Sequence, residues 1–254
     1  MSYNDMMFKI PYESDSYQSD SHFVIAAIED ITRDAVSAGN NKIILNTNLR
    51  LGLPMENINK IAGPIVEAWA YETFYDIKDD LDNEYQLVNV EPLPRLDKAD
   101  VLLQFKKSNS SITANVDVKA TAEDIENSGK GPNITSFSRI RSAYIEDPDF
   151  MFIILSQKHK VYSERNSVTK LIDGIMEIVK FNAYDLKFLS DRDISYNPAL
   201  GTGQIQIKDI HYVEYEHRTT WEFCQLLDRK YLNSSRRSFD DWYREAVKNK
   251  WIKI

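Results

Sequence analysis

The chain holds 254 residues, 43% of them hydrophobic and 28% charged, with 31 Lys and Arg against 39 Asp and Glu. That length buries one large core or two small ones, and 8 Gly with 8 Pro exclude a fibrous or low-complexity chain. The longest apolar run, residues 150–155, falls well short of the roughly 20 residues a membrane helix needs.

Met-Ser-Tyr-Asn-Asp-Met-Met-Phe-Lys at the start carries no basic n-region followed by an apolar stretch, so a cytoplasmic setting without membrane contact is expected. Cys224 is the lone cysteine, which excludes an intrachain disulfide and an all-cysteine metal site. The net charge of −8 speaks against a polyanion partner, yet the charge is uneven. From Arg229 to Ile254 there are 8 Lys and Arg against 3 Asp and Glu. Between Asn127 and Ile145 there is no acid, while Lys130, Arg139 and Arg141 supply three positive charges.

Taken in order, residues 1–20 read as a polar arm preceding one α/β domain of 1–254. A helix is predicted near 22–37, where Phe23, Ile25, Ile28 and Ile31 fall near helical spacing. Residues 45–54 read as a loop. Pro is tolerated in a first helical turn but not in an interior, so a helix is predicted from Pro64 through Phe74. Val168, Leu171, Ile172, Ile175, Ile178 and Val179 predict an amphipathic helix. Thr219-Thr220-Trp221-Glu222 fits a capping box, and a basic C-terminal helix covers about 238–249 within 229–254. Strands are predicted at 85–90, 99–107, 112–119, 150–156 and 204–213.

The chemistry concentrates in one predicted hairpin. Residues 99–107 and 112–119 both alternate, and the polar Ser108-Asn109-Ser110-Ser111 between them suits a loop. With that loop, Phe105 faces Ala114, Leu103 faces Val116 and Val101 faces Val118, all apolar and on one side. The same register sets Asp100 opposite Lys119, with Asp117 two residues away. Paired carboxylates repel unless a cation sits between them, and hard oxygen ligands suit Mg²⁺, which polarises a phosphodiester and activates water. A neighbouring ammonium offsets developing negative charge. Asp-x-Lys also occurs elsewhere, as at Asp76-Ile-Lys78 and Asp185-Leu-Lys187, but only the copy at Asp117 follows a strand delivering a third charge. A cross-strand salt bridge, worth roughly 0.2–1 kcal/mol, explains the same three residues, and spacing leaves both readings open.

The spread Glu67 … Asp100 … Asp117-Val118-Lys119 resembles the PD-(D/E)xK nucleases, with Ala99-Asp100 where Pro-Asp usually stands. Ala99-Asp-Val-Leu-Leu, Val116-Asp-Val-Lys119 and Pro132-Asn-Ile134 are similar to the EcoRV/HincII-like type II restriction endonucleases. So are Gln204-Ile-Gln206, Arg218-Thr-Thr-Trp221 and the loop Gly201-Thr202-Gly203. Longer stretches, among them Asn57-Ile-Asn-Lys-Ile-Ala-Gly-Pro64 and the run from Ser195 to His211, are similar to a blunt-cutting member of that group.

The resemblance implies a restriction-endonuclease-like core, a mixed central β-sheet flanked by helices. It implies a homodimer performing Mg²⁺-dependent cleavage of double-stranded DNA, blunt, at GTTAAC, and a cognate DNA methyltransferase in the same system. By position, Asp100 and Asp117 would be metal ligands helped by the Val118 carbonyl, Lys119 the catalytic lysine and Glu67 the extra acidic residue. A repair or structure-selective nuclease of the same fold and a non-catalytic DNA-binding module are the alternatives.

Base reading needs donors and acceptors on exposed loops. Ser128-Gly-Lys-Gly-Pro-Asn-Ile-Thr-Ser136 supplies Asn133, which matches a base-contacting Asn of the group, and Lys130, expected to hold a phosphate. Asn197-Pro-Ala-Leu-Gly-Thr-Gly-Gln204 supplies Thr202, Gly203 and Gln204. Arg139 and Arg141 follow the first loop on a helix and are expected at phosphates. The four histidines lack metal-ligand spacing, His211 reads as a structural strand residue and Cys224 as a buried thiol.

Overall fold

A computed structural model describes residues 2–78, 80, 83–94, 97–107, 110–199 and 201–253. Where the sequence reads as one domain, contacts gather into two compact units. One holds residues 22–129 and 153–184 around a large sheet; the other holds 1–21, 130–152 and 185–254 around a small one.

The large-sheet unit takes most of helix α1 (Tyr17–Ser37), strand β1 (Lys42–Leu45), helices α2 (Met55–Lys60) and α3 (Ala62–Lys78), and strands β2 (Leu87–Pro92), β3 (Val101–Lys107) and β4 (Ser110–Ala122). Most of two long strands completes it, β6 (Met151–Arg165) and β7 (Ile172–Asp185). The strand order is β1-β7-β6-β4-β3-β2, a mixed central sheet flanked by helices. Helix α3 buries Ala62, Val66, Ala70 and Phe74, a stripe repeating every four residues. Its Pro64 lies in the first turn, where the missing N–H would have had no partner in any case.

Residues 172–185 form strand β7, not the predicted helix. It is buried on both faces, with Asp173, Gly174, Ile175 and Met176 all covered in succession. A strand covered on both sides loses its period of two and displays a near-continuous apolar run, and the β-branched Ile172, Ile175 and Ile178 favour extended backbone. Strand β6 likewise runs on to Arg165, with residues 151–157 all buried.

The small-sheet unit has strands β5 (Asn133–Ser136), β8 (Ile194–Asn197) and β9 (Gln204–Ile207) in the order β5-β9-β8, both pairs antiparallel. Helices α4 (Phe137–Glu146), α5 (Thr220–Leu232) and α6 (Phe239–Lys248) belong to it. Thr219 caps α5 as the sequence predicts. Its hydroxyl accepts from Glu222 N at 3.2 Å, while the Glu222 carboxylate accepts from Thr219 N at 2.7 Å. Ser238 and Asp241 form the same box on α6.

The N-terminal stretch is pinned rather than free. Phe8 bridges Ile252, Lys9 N donates to Trp251 O at 2.8 Å and Lys253 N donates to Met7 O at 2.7 Å. Strand β9 ends at Ile207, so His211 lies in a turn and not in a strand.

Candidate active site

In the large-sheet unit the β3–β4 hairpin brings the predicted carboxylates together, but in a shifted register. Val101 pairs with Val116, Leu103 with Ala114, Phe105 with Ile112 and Lys107 with Ser110. The connection is therefore residues 108–109, which lie outside the described residues, and the pairing slips by two from the predicted one. An even slip preserves which side each chain faces. It changes only which charges meet. Asp100 lies next to Asp117, not across from Lys119: its N–H donates to Val116 O at 3.0 Å and its Oδ2 accepts from Val118 N at 2.8 Å.

Asp117 is buried and Lys119 partly so. The Lys119 ammonium stands 2.8 Å from both Asp117 oxygens and directs its hydrogen bond to Oδ1. Asp117 Oδ2 is buried and makes no hydrogen bond of its own, its only cationic neighbour being the Lys119 ammonium. Burial pushes the Asp117 carboxyl up to about 7; Lys119 opposes the rise, and Asp100 and Glu67 add to it. Burial also works against the Lys119 ammonium, yet Asp117, Asp100 and Glu67 together carry its pKa above the ordinary lysine value. The lysine is thus charged at neutral pH.

Glu67 enters from α3, one residue off that helix's buried stripe. Partial burial raises its carboxyl, Asp100 raises it further and Lys119 pulls it down, so it shares the field of this cluster.

Among the described residues no three His, Cys, Asp or Glu side chains gather in metal-ligating geometry. The donor set is therefore two carboxylates, Asp100 and Asp117. That set fits a hard divalent ion that keeps most of its waters, and the orphaned Asp117 Oδ2 is the oxygen that such an ion would satisfy.

The residues expected to read DNA all fall in the small-sheet unit. Its sheet alternates: Ile194, Ile205 and Ile207 are buried, while Ser195, Asn197, Gln204 and Gln206 occupy the opposite parity and are partly exposed. Asn133 pairs with Gln206, and Asn197 with Gln204. Asn197 Nδ2 reaches Asn133 Oδ1 at 3.5 Å, and Gln206 Nε2 donates to Gly131 O at 2.9 Å. Sequence reasoning singled out Asn133 and Gln204 and missed Ser195, Asn197 and Gln206. The polar–apolar alternation of 194–197 and 204–207 was the available signal.

Thr202 has its hydroxyl engaged within the fold, at 2.9 Å from Ser138 Oγ and 3.1 Å from Ser136 Oγ. Gly203 has φ +88°, and a Cβ there would overlap the Tyr196 ring. Lys130 is exposed, with its backbone bridged to Asp209, and Arg139 is exposed on α4.

Arg141 is the correction. It is fully buried and bound to Asp228, Nη2 to Oδ2 at 3.1 Å and Nε to Oδ1 at 3.2 Å, with Trp251 and Trp221 close to its guanidinium. A side chain with no exposed surface does not meet a phosphate.

A mixed sheet flanked by helices, with two aspartates and a charged lysine gathered where two of its strands join, defines a restriction-endonuclease-like nuclease core. Residues 4–250 match the family model described as Type II restriction endonuclease HpaI. The chain is 60% identical over 253 residues to the Type II restriction enzyme HpaI of Haemophilus parainfluenzae, covering 100% of each. It belongs to the HpaI family of type II restriction endonucleases and is a site-specific deoxyribonuclease that acts on double-stranded DNA.

Proposed function

We propose that the chain hydrolyses double-stranded DNA at the palindrome GTTAAC, leaving blunt ends, as a homodimer matching the two-fold symmetry of its target. The full-length 60% identity supports the choice of target. The catalytic assignment is carried by one observation: the buried Asp117 carboxylate beside Asp100, with one oxygen that makes no hydrogen bond and faces only the Lys119 ammonium.

Asp100 and Asp117, with the Val118 carbonyl, would hold Mg²⁺. Bound there, the ion polarises a phosphodiester and lowers the pKa of a coordinated water. The chain's own groups do the rest. Lys119, charged beside Asp117, offsets the negative charge growing on the phosphoryl oxygens as a water oxygen bonds to phosphorus and the 3′ oxygen leaves with a proton. Glu67, within the field of Lys119 and Asp100, orients the lysine and the site's water.

Asn133 and Gln204, joined by Asn197 and Gln206, read base edges through their amides. Lys130 and Arg139 hold flanking phosphates, and the Thr202-Gly203 turn sets the angle of the loop. The two units work as one nuclease domain in the cytoplasm of a bacterium that also makes the methyltransferase protecting the same site.

Plasmid digestion with and without Mg²⁺, followed by sequencing of the ends, tests the reading. Blunt ends at one hexamer only with the ion present are expected. Asp117→Ala should bind the same duplex and leave it uncut; cutting by that variant removes the site assignment.

A further inference from the structure

The loop between β8 and β9 is held by more than its own turn chemistry. Three of its backbone groups, two carbonyls and one N–H, are bound by side chains or backbone of the small-sheet unit close to the sheet. Tyr196 Oη donates to Thr202 O at 2.8 Å, Phe137 N donates to Gly203 O at 3.0 Å, and the Asn197 side chain accepts from Ala199 N at 3.0 Å to set the entry turn. The remaining bonds come from a distant place in the sequence. Arg237 Nη2 donates to Pro198 O at 2.9 Å and to Gly201 O at 2.6 Å, so one nitrogen uses both of its protons to tie the two arms of the loop.

Arg237 is itself rigidly mounted. It directly precedes the capping residue of α6, and its own N–H donates to Ser234 O at 3.2 Å. Its guanidinium lies 5.5 Å from the centre of the Tyr231 ring, and Tyr231 stacks on Phe137 at 4.6 Å. Helix α6 is fixed in turn by Trp242, whose Nε1 donates to Asp228 at 3.0 Å. A planar, forked cation suits this post: it lies against an aromatic ring while its outer nitrogen bridges two acceptors, which a compact ammonium does less well.

We propose that Arg237 is a positioning residue for sequence discrimination, a clamp that fixes the shape of the 197–204 loop and thereby the aim of Asn197 and Gln204 at base edges. This rests on the amide face being the base-reading surface. Arg237 touches no base in this scheme, and its loss releases the amides from a fixed approach without removing them. A correctly aimed amide pair discriminates between bases by about 5- to 150-fold, and a loosened one forfeits most of that factor.

The test is the ratio of kcat/KM on a GTTAAC duplex to that on duplexes altered at one base pair. It is measured for Arg237→Ala, Arg237→Lys, Tyr196→Phe and Gln204→Ala, with a melting curve for each. A variant that merely folds less well loses active enzyme equally for both substrates, so its ratio does not move. Arg237→Ala should lower the ratio about tenfold or more, through the cognate duplex. Arg237→Lys should recover part of it. If Arg237→Ala does not fold, Tyr196→Phe carries the test, because it removes the hydroxyl that holds the Thr202 carbonyl while leaving the Arg237 bonds to Pro198 O and Gly201 O in place, and should lower the ratio in the same direction. A ratio unchanged in Arg237→Ala, or in Tyr196→Phe where the former does not fold, overturns the clamp. An unchanged ratio in Gln204→Ala overturns instead the base-reading role of that face, so the two failures are distinguishable.

Discussion

Replacing Asp228 by Asn is the sharpest test of how the small-sheet unit is built. The Asp228 carboxylate accepts from Arg141 Nε and Nη2 at 3.1–3.3 Å, from Tyr3 Oη at 2.9 Å and from Trp242 Nε1 at 3.0 Å. Both members of the ion pair have no exposed surface. Asn keeps the shape but removes the charge, and leaves the Arg141 guanidinium buried with no counter-ion. Removing one partner of such a pair costs about 3–5 kcal/mol. For a chain of this size about 1 kcal/mol corresponds to 2–4 °C, so the melting temperature should fall by roughly 6–20 °C.

The assay is thermal and guanidinium unfolding followed by circular dichroism, without divalent ion. Arg141→Leu combined with Asp228→Asn should recover part of the loss, since it removes the unpaired buried guanidinium while the amide oxygen still accepts from Tyr3 or Trp242. A melting temperature within about 2 °C of the parent in Asp228→Asn would refute the reasoning. So would an Arg141→Met variant that keeps its stability but loses DNA affinity, because that is the behaviour of a phosphate contact.

Three further outcomes follow from other parts of the chain. His159 is buried, with Nε2 3.1 Å from Asn59 Oδ1 and Nδ1 without a partner; burial lowers its pKa below the usual 6.5, with Asp124 opposing. Because the folded value is the lower one, its contribution is intact above about pH 6.5 and is lost as the pH falls from there toward the folded value, and His159→Gln should flatten that slope in guanidinium midpoints. Gly203→Ala places a Cβ into the Tyr196 ring at a left-handed φ, so cognate cleavage should fall at least about tenfold while far-ultraviolet circular dichroism stays unchanged; parental rates would show that the turn adapts. Burial pushes the Cys224 thiol up to about 12, so a disulfide reagent should label it only after unfolding, and rapid labelling of the native protein would contradict its burial.

The legible parts of this chain are those set by neighbours in sequence. The capping box at Thr219, the first-turn Pro64 and the apolar side of the β3–β4 hairpin all depend on residues within a few positions of one another, and each was readable to within a turn or a pair. The register was not. Ser110 and Ser111 look like loop but extend β4 as exposed residues, and nothing local distinguishes a two-residue connection from a four-residue one. The face of Asp100 and Asp117 survived because the slip was even.

What failed depends on distance along the chain. Arg141 reads as a surface residue after a polar loop because Asp228, the partner that buries it, is 87 residues away. Arg237 binds carbonyls 36 and 39 residues back, and a backbone carbonyl leaves no mark in a sequence. Strand β7 was misread because burial on both sides erased the period that separates strand from helix.

Charge divides along the same line as chemistry. The large-sheet unit, with Glu67, Asp100, Asp117 and Lys119, has 15 basic against 21 acidic residues; the small-sheet unit, with the amide face, has 16 against 18. An acidic catalytic unit repels a phosphate backbone, so it gains little from non-specific binding, whose strength comes almost wholly from cationic contacts with phosphates. A divalent ion held by Asp100 and Asp117, as proposed, would remove part of that repulsion only at the site itself. On the proposed reading, Lys130 and Arg139 supply few phosphate contacts, so holding a duplex long enough to cut it would depend largely on the sequence-specific amides, and an amide loses its contact when its approach is loose. If the loop reads bases as proposed, an enzyme with this charge distribution has reason to fix it at five separate backbone groups with an aromatic ring and an arginine.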